Sequence, residues 1–164
     1  MGIGPDEEGR PVVITRVDSQ EDMADVWALR RDVFVVEQNV PLEEEMDDLD
    51  HDPSTIHLLA RDELGPLATG RILLDSPGHV HLGRICVARR VRGTGLGKRL
   101  LLALEATALD VYAVDGVLTV ALSAQRDAQG FYESVGYSRA DDREYLDAGI
   151  WHRDMVKRIS RATL

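Results

Sequence analysis

A basic, glycine-rich turn separates an apolar run from an amphipathic segment near the middle of this sequence. The turn covers residues 92–98, and only residues 88–91 separate it from Ile85, Cys86 and Val87 in the apolar run. Glycine adopts positive φ without strain and lets a ligand approach the backbone closely. The first N–H groups of a following helix point to the same place, where they can bind a phosphate group. We therefore predict an anion cradle between a strand and a helix.

The distribution of charge supports this prediction. No acidic residue occurs from Ser76 to Leu104, although the chain has 29 Asp and Glu against 19 Lys and Arg and a formal net charge of −10. The same window contains six basic residues, namely Arg84, Arg89, Arg90, Arg92, Lys98 and Arg99. An anionic ligand is the simplest explanation of this basic island. The alternative is a plain strand-to-helix turn that needs glycine for its shape.

Two common phosphate-binding motifs do not fit the turn. A nucleotide P-loop requires Ser or Thr after its lysine, and Arg99 occupies that position here. The dinucleotide-binding fingerprint requires a third glycine where Lys98 stands. The cradle is therefore expected to hold another kind of phosphate-bearing ligand.

The pattern of apolar residues predicts strands that alternate with helices. We predict strands at residues 12–17, 56–61, 67–74, 80–88 and 117–123, and two further extended segments around the turn at 147–149. Helices are predicted from residue 19 to about residue 36, at 96–111 and at 125–135. Hairpin-linked and helix-linked strands together indicate a mixed α/β sheet with helices on both faces.

Composition limits the domain organisation. A length of 164 residues and a hydrophobic content of 44% predict one compact domain over residues 12–164, after a flexible tail at residues 1–11. The longest apolar run has five residues, which is too short to span a bilayer. A single cysteine excludes an intramolecular disulfide and a cysteine-rich metal site. We expect a cytoplasmic protein without a membrane partner or a bound metal, as a monomer or homodimer.

An acidic segment lies between the first predicted helix and the second predicted strand. Seven of the ten residues 43–52 are Asp or Glu. Such a run is either a solvated loop or short helix, or a negatively charged wall that attracts a cationic substrate. The net charge of −10 argues against a nucleic-acid partner.

Several motifs together resemble the GNAT N-acetyltransferases. Arg92-Gly-Thr-Gly-Leu-Gly97 is similar to the Arg/Gln-x-x-Gly-x-Gly/Ala turn that holds the pyrophosphate of acetyl-CoA in that family, and the segment 131–137 is similar to the block that closes the GNAT core. The ElaA-like branch is further indicated by Arg31–Gln38 with Pro41, His57, Arg71-Ile-Leu, Gly83-Arg84, Ala124-Gln125, and Gly149-Ile-x-His152-x-x-Met155. Three residues depart from those that this branch tends to have, namely Leu42, Glu45 and Gln125. These departures bear on the identity of the acceptor more than on the fold.

The resemblance implies a fold and an activity. The fold is a GNAT-type mixed, mostly antiparallel and twisted sheet of about seven strands with helices on both faces. The activity is acetyl-CoA-dependent transfer of an acetyl group to a primary amine of a small, cationic acceptor by direct attack. The alternative is a non-catalytic module on the same fold that binds or senses acyl-CoA.

The resemblance also implies cofactor contacts. The backbone of Ile85, Cys86 and Val87 is expected to bind the pantetheine arm. The remaining expected cofactor contacts are Arg92, Gly93, Thr94, Gly95, Leu96, Gly97, Lys98, Gln125 and Tyr132. Tyr132 is also the implied proton donor to the departing thiolate, with an interior structural aromatic as the alternative. Cys86 as a nucleophile is a weaker hypothesis, because direct transfer needs no thiol and cysteine is common in cores.

An ammonium acceptor must lose a proton before it attacks, because its pKa lies far above 7. The candidate bases are Glu37, Glu45, Asp48, His57 and His152. The acceptor side is predicted to contain Glu37, Gln38, Glu45, Asp48, His57, Arg71 and Arg84. Structural alternatives are pairing of Glu37 with Arg30 or Arg31, a structural role for His152, and pairing of Arg71 and Arg84 with acids.

Overall fold

The computed structural model describes residues 3–5 and 10–162. Its strands are β1 Ile3–Pro5, β2 Pro11–Arg16, β3 Ile56–Asp62, β4 Gly65–Ser76, β5 His79–Val87, β6 Val117–Gln125, β7 Ser138–Arg139, β8 Tyr145–Asp147 and β9 Ile150–Ser160. They form one sheet in the order β1-β2-β3-β4-β5-β6-β9-β7, with β8 paired to β9 outside this path. Seven of these strands correspond to the predicted ones, and β1 and β7 are additional short strands.

The sheet is mixed and mostly antiparallel, which confirms the predicted fold class. β5 and β6 are parallel, with register pairs from His79↔Thr119 to Leu82↔Leu122. A parallel pair needs a crossover connection, which the helix between these two strands supplies. β6 and β9 pair antiparallel along nine residues, from Val117↔Ser160 to Gln125↔His152.

A short strand lies within the segment predicted to be a flexible tail, and the prediction for residues 1–11 stays a prediction. Residues 1, 2 and 6–9 of that tail lie outside the described residues, whereas Ile3–Pro5 forms β1, antiparallel to β2 with Ile3 opposite Val13. The sequence alone did not indicate this strand, because three residues are too few for an alternating pattern to be recognised.

The helices are α1 Gln20–Arg30, α2 Leu42–Glu45, α3 Leu96–Tyr112 and α4 Gln129–Ser134, with 3₁₀ turns at Asp48–His51, Arg89–Val91 and Arg126–Ala128. Ser19 is the N-cap of α1, and its side chain accepts a hydrogen bond from the N–H of Asp22 at 3.1 Å. The helix predicted at residues 125–135 is shorter, because Gln125 is the last residue of β6 and a 3₁₀ turn precedes α4.

The first predicted helix changes its winding after Arg30. Residues Arg31–Glu37 form a π-helical segment, in which the N–H of Gln38 donates to the carbonyl of Val33 at 3.2 Å. The wider turns of a π-helix shift the following side chains around the axis relative to an α-helix, and such segments are frequent at functional sites. Glu37 therefore does not occupy the position that a continuous α-helix would give it.

The chain divides into two compact units. The first comprises Met1–Arg71 and Arg84–Leu104, and its buried core includes Ile14, Leu58, Leu59, Leu67, Leu100 and Leu104. The second comprises Ile72–Gly83 and Glu105–Leu164, and its core includes Ile72, Leu118, Val120, Leu122, Met155 and Ile159. Each core is aliphatic, and the alternation along β6 buries its even-numbered residues from 118 to 124. The single domain expected over residues 12–164 stays a prediction.

Candidate active site

Two of the three glycines expected at positive φ in the anion cradle have that conformation, whereas Gly97 lies in the first turn of α3. β5 ends at Val87, the 3₁₀ turn Arg89–Val91 follows, and α3 begins at Leu96. Between them Gly93 and Gly95 have φ of +80° and +85°, a region that favours glycine. A Cβ placed on either glycine would meet no atom within 4 Å, so there is open space beside both residues. The cradle, residues 92–98, is thus a strand-to-helix turn with room against its backbone.

The polar groups of the cradle suit an anion. Thr94 Oγ1 donates to the carbonyl of Val91 at 2.6 Å, which fixes the turn. The first helical bond of α3 runs from the N–H of Arg99 to the carbonyl of Gly95 at 3.2 Å. The N–H groups of Gly97 and Lys98 lie in the first turn, where no intrahelical acceptor is available. Arg99 Nη2 is buried without a hydrogen-bond partner among the described residues. The free N–H groups of the first turn can bind a phosphate group.

The strand that leads into the cradle is kinked at Arg84. Arg84 has φ of +51° although it lies inside β5, and the parallel register with β6 ends two residues earlier, at Leu82. A non-glycine residue at positive φ is strained and persists only where its surroundings hold it. The guanidinium of Arg84 supplies this restraint, because it donates to the carbonyl of Glu45 from Nε at 3.2 Å and from Nη2 at 3.0 Å.

Cys86 is unsuited to nucleophilic chemistry. It is buried in a small apolar cluster with Leu29 and Val33, against which Phe34 and Ala88 pack. Burial raises the pKa of the Cys86 thiol to about 12, so the thiolate is essentially absent at neutral pH. The side chain therefore acts as a core residue.

Arg92, at the start of the cradle, binds a predicted acceptor-side residue. Its Nη1 and Nη2 donate to the two carboxylate oxygens of Glu37, both at 2.9 Å, and its Nε donates to the carbonyl of Val87 at 3.1 Å. Arg89 Nη2 lies 3.4 Å from the same carboxylate. Hydrogen bonds from Arg92 hold the pKa of Glu37 below its usual value, against a smaller opposing effect of burial. Glu37 therefore pairs with Arg92 and Arg89, and not with Arg30 or Arg31 as the sequence suggested.

The acidic segment is neither a fully solvated loop nor a continuous negative wall. Three of its seven acids, Glu45, Asp47 and Asp50, turn inward to three arginines that come from α1, β4 and β5. We call these six residues the arginine–carboxylate cluster; its arginines are Arg30, Arg71 and Arg84. Glu43, Glu44 and Asp48 remain exposed, and Asp52 accepts hydrogen bonds from Ser54. Equal numbers of opposite charges neutralise the inward face of the segment.

Short hydrogen bonds hold the arginine–carboxylate cluster together. Arg30 Nε donates to Glu45 Oε1 at 2.6 Å, and Arg30 Nη1 donates to Asp50 Oδ1 at 2.8 Å. Arg71 binds Asp47 through both terminal nitrogens at 2.7 and 2.8 Å, and Nη1 also donates to Asp50 at 2.9 Å. Arg84 Nη2 lies 3.2 Å from Asp47 Oδ2. Bidentate arginine–carboxylate pairs of this kind fix the orientation of both partners.

The electrostatics of the cluster favour an ionised Asp50 and a neutral His57. Burial alone would raise the pKa of Asp50, but hydrogen bonds from Arg30, Trp27 and Arg71 outweigh it and lower the pKa to about 2. Burial lowers the pKa of His57, which lies 3.8 Å from Asp50 Oδ1. His57 Nδ1 is buried without a partner among the described residues.

The structure brings together only some of the predicted acceptor-side residues. Glu45, Arg71 and Arg84 belong to the cluster, and His57 contacts it through Asp50. Asp48 is exposed and lies outside the cluster, while Glu37 and Gln38 end the π-helical segment beside Arg92. Glu45 is 3% exposed and binds Arg30, so pairing accounts for its position. The roles of all these residues in catalysis stay predictions.

Tyr132 lies in α4, in the second unit. Its ring meets those of Phe131 and Tyr137 edge-on, with centroids at 5.2 and 5.7 Å. Burial raises the pKa of the Tyr132 hydroxyl to about 12, so this group stays protonated at neutral pH. No side chain in the described part of the chain hydrogen-bonds to this hydroxyl. A protonated, unengaged hydroxyl is what a proton donor requires.

His152 and Gln125 face each other on paired strands. Gln125 of β6 is the register partner of His152 of β9. His152 Nδ1 lies 2.7 Å from the carbonyl of Ile150, and the ring stacks on Tyr145 at 6.0 Å with an interplanar angle of 17°. Because a carbonyl oxygen can only accept, Nδ1 is the donor in this hydrogen bond.

A chain of polar groups beside His152 was not predicted from the sequence. Tyr145 Oη donates to Asp154 Oδ1 at 2.6 Å and shares a short hydrogen bond with Ser123 Oγ. Ser123 and Asp154 are register partners on β6 and β9, and Tyr145 is opposite His152. The register of an antiparallel pair, which the sequence pattern did not specify, is the signal that would have linked these residues.

The described residues contain no group of three or more His, Cys, Asp or Glu side chains that could hold a metal ion. Among the helices of residues 10–162, none has the length and apolar character that crossing a membrane requires.

Known proteins share both the sequence and the fold. Residues 17–159 match the family model of the acetyltransferase (GNAT) domain. A Bacillus subtilis protein named uncharacterized N-acetyltransferase YjcF is 38% identical over 139 residues, which cover 85% of this chain and 94% of that protein. Protein ElaA of Escherichia coli is 34% identical over 137 residues, or 82% of this chain and 86% of ElaA.

Solved structures agree with these sequence matches. The crystal structure of Escherichia coli ElaA superimposes with a TM-score of 0.79 at 28% identity, over 89% of this chain and 99% of ElaA. An acyl-CoA N-acyltransferase from Pseudomonas aeruginosa has the same TM-score at 31% identity, over 89% of this chain and 99% of that chain. The chain therefore belongs to the ElaA-like branch of the GNAT acetyltransferase family, and it is an acyltransferase with acetyl-CoA as its co-substrate.

Proposed function

We propose that this protein transfers the acetyl group of acetyl-CoA to a primary amine of a small, cationic acceptor by direct attack. The observation that carries the proposal is the cradle at residues 92–98, where two glycines at positive φ lie beside open space and the first turn of α3 offers N–H donors. Acetyl-CoA supplies the activated thioester, and no covalent intermediate with the protein is needed. The buried Cys86 is consistent with this route.

The cofactor contacts divide between backbone and side chains. The N–H groups of Gly93, Gly95, Leu96, Gly97 and Lys98 would bind the pyrophosphate, with Arg92 and Lys98 supplying positive charge. Thr94 fixes the turn through its bond to the carbonyl of Val91. The backbone of Ile85, Cys86 and Val87 would bind the pantetheine arm, and Gln125 would add a contact at the end of β6.

The residues of the chain must move two protons. One leaves the acceptor ammonium, and the candidate bases remain Glu37, Glu45, Asp48, His57 and His152. The other goes to the sulfur atom when the carbon–sulfur bond breaks, and Tyr132 is the proposed donor. The raised pKa of its hydroxyl supports this role because the proton is retained at neutral pH.

A second function is favoured by one observation. The carboxylates of Glu37 and Glu45 are both bound to arginines, so neither is free to take a proton from an amine, and a module that binds acyl-CoA without turnover needs no such base. The same fold would then serve as a sensor, with Tyr132 as a structural aromatic.

A thiol-release assay separates the two functions. Acetyl-CoA is incubated with the protein and a panel of polyamines, aminoglycosides, amino acids and lysine peptides, and acetylated products are identified by mass spectrometry. We expect at least one amine to give thiol and acetylated amine in equal amounts. Binding of acetyl-CoA without turnover by any class of amine would instead support the sensing module.

A further inference from the structure

Arg92 connects the cradle to a carboxylate of the predicted acceptor side. Each of its three guanidinium nitrogens donates a hydrogen bond, two to Glu37 at 2.9 Å and one to the carbonyl of Val87 at 3.1 Å. Arg92 is also the first residue of the cradle, so the same guanidinium is a candidate donor for a phosphate group bound there. The Nε side of this guanidinium is occupied by the Val87 carbonyl, so a phosphate group that takes both terminal nitrogens end-on must displace Glu37 from them.

The ion pair between Glu37 and Arg92 can be broken by a competing anion. The side chains of Glu37 and Arg92 are 20% and 42% exposed, and ion pairs with this degree of solvent access are weak. A phosphate group that is also bound by backbone N–H groups would compete well for Arg92. Among the described residues, Arg89 is a second charged group that faces Glu37; its side chain is 77% exposed and its Nη2 lies 3.4 Å away.

We propose that the phosphate groups of coenzyme A displace Glu37 from Arg92, so that the Glu37 carboxylate becomes available to a cationic acceptor only after the cofactor has bound. This inference rests on the proposed function, since it requires coenzyme A in the cradle. The exchange keeps charges paired, because Arg92 gains the phosphate when it loses Glu37 and the freed carboxylate gains the acceptor ammonium. It makes cofactor binding the first step and acceptor binding the second.

The proposed exchange predicts whether Glu37 lowers or raises the affinity for coenzyme A. A carboxylate that competes with phosphate lowers the affinity for coenzyme A, whereas one that merely orients Arg92 raises it. Isothermal titration calorimetry with coenzyme A itself is therefore performed on the wild type and on Glu37→Gln. We expect Glu37→Gln to bind coenzyme A about 2- to 5-fold more tightly, the range that a weak exposed ion pair would produce. The matched control is Glu43→Gln, which removes the same charge from an exposed position of α2 and should leave the affinity unchanged.

A double variant shows whether the effect passes through Arg92. In an Arg92→Gln background, coenzyme A should bind more weakly than to the wild type, and adding Glu37→Gln should change the affinity by less than about 1.5-fold, because the competing pair is already gone. An affinity of Glu37→Gln that is equal to or weaker than that of the wild type overturns the proposal. So does a gain that persists in full in the Arg92→Gln background, or one matched by Glu43→Gln. If the wild type does not bind coenzyme A at all, the proposed function fails first and the exchange fails with it.

Discussion

Replacing Asp50 by Asn tests whether the arginine–carboxylate cluster stabilises the first unit. The Asp50 side chain is 2% exposed and accepts hydrogen bonds from Trp27 Nε1 at 3.0 Å, Arg30 Nη1 at 2.8 Å and Arg71 Nη1 at 2.9 Å. Asn keeps the size of the side chain and one acceptor oxygen, but it removes the charge that two arginines share. Both guanidinium groups would then be left with a single carboxylate partner each.

The expected loss of folding stability in Asp50→Asn follows from the pKa of Asp50. Lowering this pKa from its usual 3.8 to about 2 corresponds to about 2.4 kcal/mol of stability at neutral pH. Solvent screening at the more exposed Asp47 edge of the cluster reduces this figure, and we expect a loss of about 2 kcal/mol. For a chain of this length the midpoint of thermal unfolding should fall by about 4–8 °C.

Urea denaturation between pH 7 and pH 3 measures the effect and its origin. Because the folded-state pKa of Asp50 lies below the unfolded value, the contribution is complete above pH 3.8 and is lost as the pH falls towards about 2. The stability difference between the wild type and Asp50→Asn should therefore be constant from pH 7 to about pH 4.5 and clearly smaller at pH 3. Asp48→Asn, an exposed neighbour, is the matched control and should cost less than about 0.5 kcal/mol. Equal losses for the two variants would refute the reasoning.

Three further outcomes are expected. Tyr132→Phe should lower kcat by about 10- to 10⁴-fold with little change in acetyl-CoA affinity, because a proton donor acts in the transition state; an unchanged kcat would make the hydroxyl structural. Iodoacetamide should alkylate Cys86 in the native protein at least about 100-fold more slowly than in urea, as judged by mass spectrometry, because burial holds its pKa near 12. Lys157 binds the buried carboxylate of Glu105, and Lys157→Met would leave that carboxylate with the Tyr137 hydroxyl, at 2.8 Å, as its hydrogen-bond donor among the described residues. We expect this variant to lose about 2–4 kcal/mol of stability in urea titrations. A loss below about 0.5 kcal/mol would contradict this expectation.

Features that depend on local sequence could be predicted. Seven strands and the long helix α3 follow from apolar periodicity, which acts within a few residues. The conformation of the cradle was predictable because the spacing of Gly93 and Gly95 after an apolar run specifies a turn that needs positive φ. The inert character of Cys86 was also expected, because a cysteine inside an apolar run is normally buried.

Features that depend on contacts between distant residues were missed. Arg30 meets Glu45 and Asp50, which lie 15 and 20 residues away, and no local pattern indicates that a fully buried arginine will find two carboxylates. The inward orientation of Glu45, Asp47 and Asp50 likewise depends on arginines that lie far away in the sequence. Glu37 was assigned to the acceptor side without its partner, since Arg92 follows it by 55 residues.

The switch to π-helical winding after Arg30 was also missed. Periodicity at 3.6 residues does not distinguish an α-helix from the wider π turns over seven residues. This local change alters the direction of the Glu37 side chain, and the contact between Glu37 and Arg92 was therefore not predictable from the motif alone.

The central claim, that acetyl-CoA binds at the cradle, is tested most directly by calorimetry on two glycine variants. Gly95→Val and Gly116→Val place the same side chain at φ of +85° and +75°, both with no atom within 4 Å of the new Cβ, but only Gly95 belongs to the cradle. Both variants should lose similar stability from backbone strain. We expect acetyl-CoA to bind the wild type and Gly116→Val with similar affinity and Gly95→Val at least about 100-fold more weakly. Wild-type affinity in a folded Gly95→Val protein would contradict the account.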